Sequence, residues 1–220
     1  MSENLGPIHY MMYEKIKFQD DITNYLLEND TSKVDKINEP VSREPLESLI
    51  DQDNIHGWLD SKIDVVENRL NYALNNSKNT KEKMYEFGKE NAKGKNFDDF
   101  NSVFSDLNML LLDGMPCDRG LSAQIDDKGD LYLITNTNLH SKYENQNINP
   151  EDARDNTCAG GHDHDHHESF EVASNDNINL KKENSSYHDY RYEFLKGYFS
   201  ASPYDVEMIN GINYRIYPKN

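Results

Sequence analysis

The sequence predicts an α+β fold in which an N-terminal helical half packs with a small antiparallel sheet and a C-terminal helix. Three observations in the 220 residues lead there. Apolar residues recur three and four apart through the first half, the period of a helix that buries one face. Past Cys117 the pattern changes to strand-like alternation, and it does so again around Asn210-Gly211. Between these stretches, over 137–186, large apolar residues almost vanish. The expected organisation is a helical half over 1–114 and an α+β half over 115–220, interrupted by a flexible insert at 137–186.

Met11, Phe18, Ile22 and Tyr25/Leu26 set the first helical stripe. A polar, proline-marked connection follows from about Asp30 to Pro45. Ile55, Leu59, Ile63, Val66, Leu70 and Ala73/Leu74 then form a longer stripe. Thr80 to about Ala92 is a weaker helical segment, and Phe97, Phe100, Phe104, Leu107 and Leu111 give a fourth helix burying one face. Asn96 is placed to cap that fourth helix, and Gly114 with Pro116 to stop it. Leu121–Ile125 and Leu131–Thr135 flank the turn Asp126-Asp-Lys-Gly-Asp130, which predicts a hairpin. After the insert, Tyr190, Phe194, Leu195, Tyr198 and Phe199 define a helix opened by Ser185/Ser186 and closed before Pro203. A second hairpin closes the chain. Its preferred register uses a three-residue loop, Ile209-Asn210-Gly211, pairing Met208 with Ile212, Val206 with Tyr214 and Tyr204 with Ile216. That register puts the apolar residues on one face.

Composition narrows the function. No apolar run approaches the roughly 20 residues that span a bilayer, so no membrane partner is expected. The net charge of −17 repels phosphate backbones, which argues against nucleic acid. The same field concentrates cations. Met1-Ser-Glu-Asn lacks the basic start and apolar run of a secretory signal, and two cysteines are too few for a disulfide framework. A cytoplasmic protein with reduced thiols is therefore expected.

The densest chemistry lies in Cys158-Ala-Gly-Gly-His162-Asp163-His164-Asp165-His166-His167-Glu168. Imidazole, thiolate and carboxylate are the ligands that Zn²⁺ and Ni²⁺ take. In an extended conformation His162, His164 and His166 share one side while Asp163 and Asp165 share the other. Gly160-Gly161 lets Cys158 curl back toward His162. The segment is similar in composition to the metal-gathering stretches of nickel chaperones and zinc transporters, and a catalytic site, which needs rigidly held ligands, is not expected here. The expected protein is non-enzymatic and binds a divalent transition metal; the alternative is a solvated loop with incidental affinity.

A second candidate site lies in the ordered part. Cys117 and His140 flank the first hairpin at its two ends, where they could form half a metal site or an activated thiol. This supports an alternative protein, a small-molecule sensor or thiol-dependent hydrolase, with its pocket between the helical half and the sheet. His9 and His56 could line a shared pocket if the first two helices pack at their beginnings; otherwise each is a helix-start or core histidine. No protein partner is specified.

Tyr192-Glu-Phe194-Leu195-Lys-Gly197-Tyr198-Phe199, followed by Val206-Glu207, Asn210-Gly211 and Tyr214-Arg-Ile216, resembles the ending of vinyl-reductase-type small-molecule-binding domains and of L-2-amino-thiazoline-4-carboxylic acid hydrolases. The resemblance covers about the last thirty residues. It implies an α/β ligand-binding body in which Cys117 is the ordered candidate nucleophile. The cysteine that those families often carry in the final strand is absent, with Tyr214 and Tyr217 in that strand.

Overall fold

The computed structural model describes residues 5–144 and 182–219. Helices α1 (Pro7–Leu26), α2 (Ile55–Asn76), α3 (Thr80–Asn91) and α4 (Phe100–Leu110) come first. Strands β1 (Leu121–Ile125) and β2 (Leu131–Thr135) follow, then the single turn α5 (Ser141–Glu144), α6 (Ser186–Phe199), β3 (Tyr204–Ile209) and β4 (Asn213–Pro218). The strands form one antiparallel sheet ordered β1-β2-β4-β3, and the fold is α+β. Among the described residues no helix is long and apolar enough to cross a membrane.

The helices begin where side chains can satisfy their first free N–H groups. Pro7 occupies the first turn of α1, where its missing N–H costs nothing. Asn54 accepts from Gly57 N at the start of α2, and Ser185 accepts from His188 N at the start of α6. The cap of α4 is Asp99, which accepts from Asn101 and Ser102, rather than the expected Asn96. Asn96 instead turns the chain just before it by accepting from Asp98 N. Phe97 thus lies outside the helix, where its ring packs on Tyr198 and Phe199.

The helical half and the sheet share one core. Leu70, Phe87 and Leu107 from the helices pack with Leu133, Phe194, Tyr198, Tyr214 and Ile216. A second cluster lies within the helical half, where Met12, Ile16, Leu59 and Val66 meet Val41, Leu46 and Ile50 from the long connection before α2. A buried cation fixes that connection. Arg69 is fully buried and donates through Nε to Asp20 Oδ1 (2.7 Å), and through Nη1 to Asp35 Oδ1 and the Asn38 carbonyl (both 2.7 Å). The apolar core and the ordering of a polar loop therefore rest on the same helix, α2.

Two corrections concern the second half. The polar range 137–186 is not all insert, since Asn138, His140 and Tyr143 are buried and α5 and the start of α6 lie within it. Its ordering is polar, which is why a lack of apolar residues does not reveal it. Asn138 donates to Glu183 Oε1 (2.7 Å), and Glu144 Oε1 accepts from Ser185 Oγ (2.5 Å) and Tyr187 N (2.7 Å). The closing hairpin also differs from the expected register, with Met208 facing Tyr214, Val206 facing Ile216 and Tyr204 facing Pro218. Its loop is Asn210-Gly211-Ile212. Asn210 and Gly211 are both left-handed (φ 55° and 83°), and Ile212 leaves the ladder to be buried while its carbonyl accepts from Thr135 Oγ1. Moving each partner by two residues keeps the same side chains on the same face.

Helices α3 and α6 meet at their backbones. A Cβ on Gly88 would lie 2.0 Å from the Phe194 carbonyl oxygen, and one on Gly197 would lie 1.8 Å from that of Tyr85. Neither obstacle is a side chain that could turn away. Gly88→Ala and Gly197→Ala should each destabilise the protein by at least about 2 kcal/mol in urea denaturation. Gly57→Ala, which meets only the Asn54 side chain, should cost less than about 1 kcal/mol.

Candidate functional site

The sequence-predicted sites separate in the structure. Cys117 is exposed, and its thiol hydrogen-bonds to Asp118 Oδ1 at 3.9 Å. Partial burial and the Asp118 carboxylate both push that thiol above its ordinary pKa, the opposite of an activated nucleophile. His140 is buried, and its polar partners are Glu67, Asp113 and Arg191. Among the described residues no hydrogen bond or ion pair joins Cys117 to His140. His9 and His56 do meet, with ring centroids 5.5 Å apart. His9 Nδ1 accepts from Gly6 N at 2.9 Å, so His9 serves the start of α1. Cys158, His162, Asp163, His164, Asp165, His166 and His167 lie outside the described residues. Among the described residues no group of three or more His, Cys, Asp or Glu side chains could hold a metal ion.

The chemically richest place in the described body is a buried polar network between the helices and the sheet. It alternates in charge. Glu67 of α2 holds His140 Nδ1 through Oε2 (3.0 Å), while Gln19 of α1 donates to Glu67 Oε1 (2.7 Å). His140 Nε2 lies 3.5 Å from Asp113 Oδ1 and 3.2 Å from Arg191 Nη2. Arg191 of α6 donates through Nη1 to Asp113 Oδ1 (2.8 Å), and through Nη2 to Tyr187 OH (2.7 Å) and the Leu112 carbonyl (3.3 Å). The Tyr187 ring stacks on His140 with centroids 3.5 Å apart, and the guanidinium lies 4.7 Å from the same ring. Beside it, His188 Nδ1 is 2.8 Å from Tyr214 OH on β4.

Burial opposes every charge in this network, and the neighbours decide which charges survive. Burial pushes the Asp113 carboxyl upward, but the Arg191 guanidinium and His140 outweigh it and hold Asp113 well below the usual carboxylate range. Burial likewise opposes the Arg191 cation and is outweighed by Asp113. His140 follows the same pattern. Desolvation lowers its affinity for a proton, but Glu67 and Asp113 together raise it above the ordinary histidine value. For His188, burial and the nearby Arg191 and His140 outweigh the opposing pull of Asp113, so it falls to about 2 and stays neutral. Burial pushes Tyr187 and Tyr214 well above the usual phenol value, and both keep their protons.

This arrangement supports tight packing rather than turnover. Both His140 nitrogens are occupied within the fold, whereas a general base needs one free to face a substrate. The adjoining spaces, one beside Arg191 and Gln19 and one beside His140 and Tyr143, have volumes of about 20 and 10 Å³. Each holds little more than one water. Cys117 lines neither of these two spaces.

Glu67, Asp113 and Arg191 were not anticipated, although their positions carried a signal. Glu67 falls on the stripe Ile63, Val66, Leu70 and Leu74, and Arg191 lies one turn from Tyr187 and from Leu195. A charge on the apolar stripe of each of two helices points to buried charges that need partners. Asp113 reads as part of a turn.

The two histidines give opposite pH dependences. For His188 the unfolded chain takes a proton below 6.5 while the folded chain resists it down to about 2, so its contribution to stability is lost as pH falls from 6.5. For His140 the contribution is complete below 6.5 and is lost as pH rises through its raised folded value. Urea midpoints measured from about pH 5 to pH 8 should show this: His188→Gln flattens the acid side by about 1 kcal/mol per pH unit, and His140→Gln flattens the alkaline side. No protein-family model, curated protein or solved structure matches this chain, so its chemistry is read from its own residues.

Proposed function

We propose that this chain is a non-enzymatic, cytoplasmic protein that binds a divalent transition metal, Zn²⁺ or Ni²⁺, through Cys158, His162, His164, His166 and His167 with Asp163 and Asp165. The observation that carries this reading is the way the described body closes without those residues. Glu144 ends α5 and its carboxylate binds Ser185 and Tyr187 at the start of α6, so the chain leaves and re-enters the body at one point. The body is finished there. Its buried histidines His140 and His188 are engaged as fold partners, and the two spaces beside Arg191 and His140 each hold about one water. The ligand-dense segment is thus attached to a rigid anchor that does not compete for the metal.

Ligand type and number support the same reading. Four imidazoles, a thiol and several carboxylates within eleven residues supply more donors than the four a zinc ion takes. The charge of −17 adds a field that draws cations toward the chain. Loose binding by surplus ligands suits storage or transfer of an ion, since no single geometry has to be kept.

Isothermal titration with Zn²⁺ and Ni²⁺ tests the assignment. Replacing His162, His164, His166 and His167 together by alanine should weaken binding roughly tenfold or more and leave the urea midpoint of the metal-free protein unchanged. Unaltered affinity would refute the assignment. Chelation of the metal from the wild-type protein should leave its far-ultraviolet circular dichroism unchanged, because the body folds on its own contacts.

A further inference from the structure

We propose that a pocket within the helical half binds a free apolar α-amino acid as its zwitterion. The pocket has a volume of about 250 Å³ and lies between α1, α2 and the chain that connects them. Tyr13, Trp58 and Val65 of the two helices, with Val41 and Leu49 of the connection, give it apolar walls. The irregular stretch that closes it is held at both ends. Arg69 Nη1 donates to the Asn38 carbonyl (2.7 Å), Tyr13 OH donates to the Ser42 carbonyl (2.5 Å) and reaches that of Glu44 (2.9 Å), and Arg43 Nη2 donates to Asp21 Oδ1 (2.6 Å). Glu39 and Pro40 lie between these ties; both line the pocket and are exposed, so its mouth faces solvent. The space is therefore built by the fold itself, which spares a ligand the cost of ordering it.

Two opposite charges identify the ligand. Lys62 and Glu39 both line the pocket, yet among the described residues neither side chain makes an ion pair or a hydrogen bond, with the other or with any third residue. The Lys62 ammonium instead sits 5.4 Å from the centre of the Trp58 ring. A cation and an anion are thus held apart on the walls of one small apolar space. A ligand that satisfies both brings a carboxylate for Lys62, an ammonium for Glu39 and an apolar side chain for the walls, all within a few atoms, and an amino acid is such a molecule. The volume agrees with a single small ligand, since an apolar cavity of about 150 Å³ holds benzene. Ligands with one charge fit less well. A simple carboxylate meets Glu39 and is repelled by the chain's charge of −17, and a simple amine meets Lys62. A zwitterion has no net charge to repel.

Titration of the full chain, kept metal-free so that no amino acid binds as a metal ligand, tests this inference. The probes are L-leucine and L-phenylalanine, each beside the two analogues that lack its amine or its carboxylate (for phenylalanine, hydrocinnamate and phenethylamine). Trp58 is the sole tryptophan and lines the pocket, so its fluorescence reports occupancy, with isothermal titration as a second readout. At least one of the two amino acids should bind saturably with a Kd of about 1 mM or below. Its single-charge analogues should bind roughly tenfold more weakly, because each leaves one charged group of the pocket without a partner. Lys62→Met should weaken the amino acid roughly tenfold and spare the amine analogue, and Glu39→Gln should weaken it equally and spare the acid analogue. A loss of fold does not produce that crossed pattern. Absence of saturable binding by either amino acid through about 10 mM, analogues that bind as tightly as the amino acid, or variants without the crossed pattern would overturn the proposal.

Discussion

The ion pair between Arg191 and Asp113 is the constraint on which the described body depends. Two opposite charges lie 2.8 Å apart at a place both side chains share with almost no solvent. Taking such charges out of water costs several kcal/mol each, and the cost is met only when geometry and further hydrogen bonds are good. Arg191 adds bonds to Tyr187 and to the Leu112 carbonyl, and Asp113 gains His140. The pair therefore fixes more than itself. It ties α6 to the chain after α4, orients His140 ahead of α5, and through Glu67 and Gln19 reaches α2 and α1.

Packing and polar order converge on α6. One face of that helix carries Phe194 and Tyr198 into the shared core, while Gly197 lets α3 approach to backbone contact. Its first two turns carry Tyr187, His188 and Arg191 into the network. Displacing α6 would open an apolar core and separate buried charges at once, so its position is specified twice. Some capacity is left unused: Asp113 Oδ2, Arg191 Nε and His188 Nε2 are buried without a protein partner. Those orphan atoms raise the cost of any rearrangement that weakens the remaining bonds.

The elements that bury an apolar stripe were legible in the sequence. The stripes of α1, α2 and α6 and the alternation in β1 and β2 give their identities directly, because burial of side chains sets the period. The ordering of Asn138, His140 and Tyr143 was hidden, since hydrogen bonds and charge hold them and those leave no period. The closing hairpin shows a third case. Both the expected and the observed register bury the same face, and the choice between them rests on Ile212, whose carbonyl bonds Thr135 on a strand remote in sequence. Of the candidate sites, the ligand-dense segment at 158–168 was legible by composition alone. The Glu67, His140, Asp113 and Arg191 network was legible only in part, because its four members come from separate parts of the chain that tertiary folding brings together.

A double-mutant cycle on Asp113 and Arg191 is the most direct test of the central claim. Asp113→Asn, Arg191→Met and the combined variant would be compared with the wild type in urea denaturation at neutral pH. If the buried pair organises the body, each single change strands a charge and costs about 3 kcal/mol or more. The combined change should then cost less than the sum of the two by at least about 2 kcal/mol. Losses that add within about 0.5 kcal/mol would show that the two side chains act independently, and the account would fail.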